Sequence, residues 1–137
     1  MRRAMALAAG AAVAMPLHAM AGCMDSAPDR EALIQCSKYE LVLPEKREEV
    51  ARQRLVDHLA GDAGALAQLR EDERRWDEAR NARCTAEGRA HAKPPDGQTT
   101  PLEQERAILI CVAREFTARA AELESRAPAD SATAPAR

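Results

Sequence analysis

Apolar residues recur along this chain at helical spacing, in runs separated by proline and glycine. Leu33, Cys36 and Tyr39 fall near one face of a first segment, about Pro28 to Leu43, which Asp25 or Ser26 can cap. Pro44 interrupts and can serve as the first residue of a second segment, Glu45 to Ala60, with Val50, Ala51, Leu55 and Leu59 as its apolar stripe. Gly61-Asp62-Ala63-Gly64 reads as a turn. A third helix starts near it and reaches about Gly88, with Leu66, Leu69, Trp76 and Ala79 on its buried side. Arg89 to Thr100, holding Pro94-Pro95 and Asp96-Gly97, reads as a loop. The fourth start is the clearest, because Thr100-Pro101-Leu102-Glu103 combines a capping box with proline at the first helical position. From there a helix can run to Arg126. Leu109, Val112, Phe116 and Leu123 line one side of it; Ala107, Cys111 and Ala118 form a neighbouring strip of small residues where another backbone can come close.

Composition narrows the fold class. Aromatic residues are 2% of the 137, namely Tyr39, Trp76 and Phe116, too few for the packed faces of a β-sandwich or for a base-stacking nucleic-acid surface. Charged residues are 31%, spread through an Ala-rich chain of strong helix formers. The expected fold is therefore all-α, a small bundle of three to four helices.

The first 21 residues have the layout of a secretory leader. Arg2 and Arg3 precede a charge-free apolar run of 12 residues, Ala4 to Met15; Pro16 breaks it, and Ala19-Met20-Ala21 supplies small residues for cleavage. The run is too short for a transmembrane segment, which needs about 20 residues. Cleavage after Ala21 is expected, leaving a helical domain over 22–126 and, from Ala127 to Arg137, a tail with nothing to bury that is expected to be disordered. The mature chain would carry 18 basic against 22 acidic residues, so it has no electrostatic reason to seek nucleic acid or anionic lipid. A competing route reads Ala21-Gly22-Cys23 as the end of a lipoprotein signal, with the chain anchored at Cys23, although Met20 stands where such signals usually have Leu.

Export makes disulfides the default for the four cysteines, Cys23, Cys36, Cys84 and Cys111. No C-x-x-C pair occurs, and His58 and His91 lie far apart, so no metal site and no cofactor is expected. Three pairings are possible. Cys84 lies just before the end of the third helix and Cys111 about ten residues into the fourth, depths that an antiparallel hairpin can bring together; Cys23 can fold back along the first helix to Cys36. Those two bridges are the preferred pairing, each contributing about 3–4 kcal/mol by the loop-entropy argument. Lipidation of Cys23 would strand Cys36, which counts against the lipoprotein route.

Two stretches point to a family. Leu69 to Cys84 resembles the signature of the LprI-like family of small secreted bacterial proteins, roughly L-x3-Q-x2-W-x3-R-[DN]-x2-C, through Leu69, Trp76, Arg80, Asn81 and Cys84, with Glu73 where the family usually has Gln. Cys111, Thr117, Arg119 and Leu123 match its closing pattern, C-x5-T-x-R-x3-L, and Cys23 and Cys36 fit its opening cysteine pair. The family's L-N-x2-Y box has no counterpart between Pro44 and Leu59. The resemblance covers about residues 23–124 and implies a disulfide-linked helical domain in the periplasm or at the cell surface. The family's founding example inhibits lysozyme, so the resemblance offers a lysozyme as a protein partner.

Leu69, Glu73, Trp76, Arg80 and Cys84 share one helix face by their 4-3-4-4 spacing. Trp76 is large enough to fill the junction of three helices, and Arg80 can lay its stem beside the indole and direct its guanidinium at a carboxylate or at helix C-terminal carbonyls. Glu73 is too far from Arg80 for a direct pair. A structural anchor is the reading taken here; the alternative makes Trp76 and Arg80 a ligand-binding spot. No catalytic site is expected, since His58 and His91 lie outside any motif and the carboxylates from Glu71 to Glu78 alternate with arginines as on an exposed, ion-paired helix. Two functions follow: an exported inhibitor that meets a cationic lysozyme through the 89–100 loop, with Asp96 the contacting group, or a structural or envelope-maintenance module that binds another periplasmic protein.

Overall fold

The computed structural model describes residues 22–91 and 100–127. The leader, the loop centre with Asp96 and the tail beyond Ala127 lie outside the described residues. Five elements follow in order: α1 Cys23–Ser26, α2 Arg30–Glu40, α3 Val42–His58, α4 Ala63–His91 and α5 Pro101–Arg126. α1 is a single turn, so four helices proper make the all-α bundle that the periodicity predicts, and no strand occurs among the described residues.

The boundaries depart from expectation where local chemistry overrides pattern. α2 begins at Arg30 and not at Pro28, because Asp29 is the cap: its carboxylate accepts the Ala32 N–H at 2.8 Å. The first break falls at Leu41, three residues before Pro44, and Pro44 sits inside the first turn of α3. Its ring excludes the carbonyl four residues back and it has no N–H to offer, so the helical ladder is interrupted one turn upstream of the proline itself. Leu41 keeps α-type dihedrals and its N–H still reaches the Ser37 carbonyl at 3.0 Å, so α2 passes into α3 through a break of a single residue. Gly64 is likewise inside a helix, since Asp62 caps α4 by accepting the Ala65 N–H at 2.9 Å. α4 runs past Gly88 to His91. α5 starts where the capping box places it, with Thr100 Oγ1 accepting the Glu103 N–H at 3.3 Å.

α5 is the central rod. Ion pairs Arg30–Glu105 and Arg47–Glu124 keep nearly the same sequence offset, so α2 and α3 run parallel to it. Partners on α4 climb as those on α5 fall, from Asp72–Arg126 through Arg83–Glu115 to the Cys84–Cys111 disulfide, which makes α4 antiparallel. Exposed pairs like these are worth about 0–1 kcal/mol each, and their larger effect is on register.

The apolar core is split. At one end Met24, Ala27 and Leu33 are buried against Leu102, Leu109, Ile110 and Ala113; at the other, Ala51, Leu55, Leu69 and Leu123 pack together with Val56 and Leu59. Cys84 and Cys111, buried beside the α5 residues of the first cluster, are joined with their Cα atoms 5.4 Å apart, and Cys23 pairs with Cys36 at 5.5 Å. Three expected core positions are outside it. Tyr39 is 76% exposed because it lies about 120° around α2 from Leu33, off the face that Leu33 and Ser37 bury. Val50 is exposed, and so is Ala118. Ala51 and Leu55 carry the buried stripe of α3 without Val50, which lies off their face.

α4 and α5 come close at Gly88, which is buried on α4. A Cβ there would sit 2.5 Å from Ile108 Cγ1 and 3.2 Å from the Gln104 carbonyl oxygen on α5. The neighbouring disulfide holds the two backbones at this separation, so neither can back away freely. Replacing Gly88 with valine is expected to cost about 1–3 kcal/mol through overpacking, read as a lowered thermal midpoint; an unchanged midpoint would mean the helices are not held this close.

Candidate functional site

The family-like residues of α4 and α5 converge on a single polar and aromatic cluster, joined by α3. Leu69 and Leu123 close its lower end as core residues, 2% and 0% exposed. One turn above, Arg119 projects from α5 into the interior, where it is 5% exposed. Its guanidinium donates to Glu73 on α4 and, at 2.9 and 2.8 Å, to both carboxylate oxygens of Glu122 on its own helix. Burial acts to lower the Arg119 pKa, but the hydrogen bonds to Glu73 and Glu122 outweigh it and the guanidinium is held charged. Glu73, too distant for Arg80, thus finds its partner across the helix interface.

Trp76 is half-buried and not a full core residue. It meets Phe116 of α5 edge-on, with ring centroids 5.4 Å apart. Arg80 lies over both rings, its guanidinium carbon 4.6 Å from the Trp76 centroid and 4.8 Å from that of Phe116, while Arg119 sits 5.6 Å from the indole. Two cations on one aromatic pair amount to a cation–π stack that screens the rings from water. Arg80 is fixed at its head by Asp77 at 3.0 Å and by the Asn81 side-chain carbonyl at 3.2 Å. Thr117 stands apart: it is exposed and donates back to the Ala113 carbonyl at 2.9 Å, a bond internal to α5. Asp96 lies outside the described residues.

One member of this cluster is absent from the sequence motifs. Glu48, on α3, is 6% exposed, and its Oε1 accepts no hydrogen bond. The nearest cation, Arg52 Nε, is 3.5 Å from that oxygen and leans equally toward Glu73 at 3.9 Å. Burial pushes the Glu48 carboxyl above the usual carboxylate range, the charge of Glu73 adds to the effect, and Arg52 and Arg119 oppose it. A signal for it did exist. Glu48 precedes Ala51 by three residues and Leu55 by seven, which puts a carboxylate in phase with the apolar stripe.

Among the described residues no group of His, Cys, Asp or Glu is arranged to hold a metal ion, and no helix is long and apolar enough to cross a membrane. Residues 23–124 match the family model described as Lysozyme inhibitor LprI. No curated protein and no solved structure matches the chain.

Two expectations follow from the buried charges. Arg119→Met leaves Glu73, in the partly buried interface, without its cation while Glu122 stays at the exposed surface, and is expected to cost about 1–3 kcal/mol in denaturant unfolding, as leaving a partly buried acceptor unpaired does; no measurable cost would show the guanidinium is solvated. Glu48 acts in the opposite sense. The folded state holds its proton more tightly than the unfolded chain, so its contribution to stability falls as pH rises from the ordinary carboxylate range through the raised folded value. Glu71, Glu87 and Glu124 are shifted down by their arginine partners and lose stabilisation as pH falls, so wild type must be compared with a variant and not with itself. Melted side by side, Glu48→Gln is expected to gain on wild type between about pH 4.5 and neutrality; a difference that stays flat across that window would refute the assignment.

Proposed function

The chain belongs to the lysozyme inhibitor LprI family, and from that premise we propose that it is an exported binding protein that inhibits a lysozyme by protein–protein contact. The observation that carries this reading is the family match over residues 23–124, which takes in nearly every described residue. A family of inhibitors suggests a protein that acts without catalysis. Two disulfides and this family likewise suggest an extracytoplasmic setting, where oxidised cysteines persist. Export by cleavage after Ala21, with a soluble product and not one anchored at Cys23, is part of the proposal, and the Cys23–Cys36 bridge supports it because a lipidated Cys23 would leave Cys36 single.

Charge supports a cationic target. The chain without residues 1–21 has 18 basic and 22 acidic residues, and lysozymes are generally cationic, so encounter would be favoured by a modest attraction that weakens with salt. Asp96, in the sequence between the end of α4 at His91 and Thr100 before α5, is proposed as one contacting group.

The test is a turbidity assay of lysozyme on bacterial cell walls with the purified, oxidised protein. Inhibition at micromolar protein, weakened when Asp96→Asn is used, is the expected result. Absence of inhibition at that concentration would overturn the inhibitor reading and favour an envelope-maintenance module that binds another periplasmic protein. Inhibition unaffected by Asp96→Asn would move the contact away from this loop.

A further inference from the structure

The break between α2 and α3 is flanked by a face that a core-building sequence would normally cover. Tyr39, Val42 and Leu43 are 76%, 55% and 77% exposed, three of the four large apolar side chains that stand out from the described surface. Beside them, between α3 and α5, lies a shallow open groove of about 360 Å³. Val42 and Phe116 give it apolar walls; Glu45, Glu48, Glu49 and Lys46 supply its charge. Val42, Glu45 and Glu49 follow helical spacing along α3, so the apolar and acidic lining is a single helix face.

The charges in the groove do not balance. Lys46 is tied to Glu49 at 2.8 Å. Among the described residues Glu45 forms no ion pair, and the Glu48 side chain, only 8% exposed, has Arg52 Nε 3.5 Å from its Oε1 but accepts no hydrogen bond at that oxygen. A buried carboxylate in this state costs stability in the free protein, because an ion pair without a hydrogen bond offsets its desolvation only in part. A bound group that donates to this carboxylate would reduce that cost.

The occupant has to bring three things: positive charge for Glu45 and Glu48, an apolar stem for Val42 and Phe116, and enough attached surface to cover an open groove beside exposed Tyr39 and Leu43. A metal ion or small anion brings none of the last two. A lysine or arginine side chain on the surface of a protein brings all three, since its methylenes lie on apolar walls while its head donates. We infer that the groove between α3 and α5 seats a basic side chain of a cationic protein partner, with the Glu48 carboxylate as its acceptor and Tyr39, Val42 and Leu43 as the surrounding apolar contact. This rests on the inhibitor reading for the identity of that partner as a lysozyme.

Calorimetric titration of a cationic lysozyme into the oxidised wild type, Glu48→Gln and Glu78→Gln tests it. Glu78 is exposed on α4 outside the groove, so its variant carries the same change in net charge. Glu48→Gln is expected to weaken binding by about tenfold or more, as loss of a hydrogen bond to a charged group does, with Glu78→Gln within twofold of wild type. Melting curves recorded in parallel show that each variant is folded. Titration of isotope-labelled protein with a tetralysine peptide gives a readout independent of lysozyme: amide shifts are expected over 42–49 and at Phe116, and are expected to fade in Glu48→Gln. Lysozyme binding equal for Glu48→Gln and wild type, or tetralysine shifts confined elsewhere, overturns the inference while leaving the inhibitor reading intact. A wild type that ignores lysozyme but takes tetralysine in the groove does the reverse, and supports a seat for the basic side chain of a different protein.

Discussion

A guanidinium inside a domain of this size constrains everything around it. Arg119 is almost fully enclosed, and its desolvation is tolerable only because Glu73 and Glu122 accept its hydrogen bonds and the Trp76 face lies within cation–π reach. Those partners come from α4 and from the next turn of α5, so the requirement fixes the register of the two helices as well as satisfying a charge. Shifting α4 by one residue would carry Glu73 and Trp76 away from Arg119 together. An ion pair in this position is a device for specificity more than for stability, and apolar residues of equal volume could be as stable.

Apolar volume alone could not impose that register. Of the four side chains that are large and fully enclosed, Leu33, Leu123, Cys84 and Cys111, two belong to a single disulfide. Three of the ten buried hydrophobic residues are alanines, which bring helices close but bury little area. The bridge Cys84–Cys111 therefore acts as core as well as staple, in a fold whose two apolar clusters do not merge. Gly88, one turn beyond Cys84, extends the close approach that the bridge begins. The disulfide sits near one end of the α4–α5 contact and Arg119 near the other, so the two devices act on the same interface from opposite ends.

Much of this was legible in the sequence, for reasons that differ from residue to residue. The start of α5 is written in local chemistry, since Thr100 and Pro101 meet the geometric needs of a first turn without help from the rest of the fold. The α4 face from Leu69 to Cys84 is legible as periodicity. The α2–α3 boundary is not, because a proline acts on the carbonyl four residues earlier and a pattern search marks the proline itself. Tyr39 misleads for a simpler reason: six residues carry it about 120° around the helix from Leu33, off the face that Leu33 and Ser37 bury. The cluster shows the same division. Glu73, Trp76, Arg80 and Arg119 are visible as a recurring motif, whereas the contact of Glu73 with Arg119 spans 46 positions and depends on how two helices dock. Glu48 belongs to neither motif and is found only by asking why an acid occupies an apolar stripe.

That question separates two kinds of buried charge in one small molecule. Arg119 is surrounded by acceptors, and its environment holds it in the ionised form; Glu48 is surrounded by incomplete partners, and its environment disfavours ionisation. The first arrangement lacks only a partner for Arg119 Nε, which is buried without a hydrogen bond. The second gains its donor when one arrives through the groove lined by the exposed Val42 and by Phe116, a ring that Arg80 also covers. Phe116 therefore belongs to both, the arginine stack that joins α4 to α5 and the groove beside α3. A partner engaging that face would press on the ring that supports Arg80 and Trp76, so binding and the integrity of the buried cluster share one side chain.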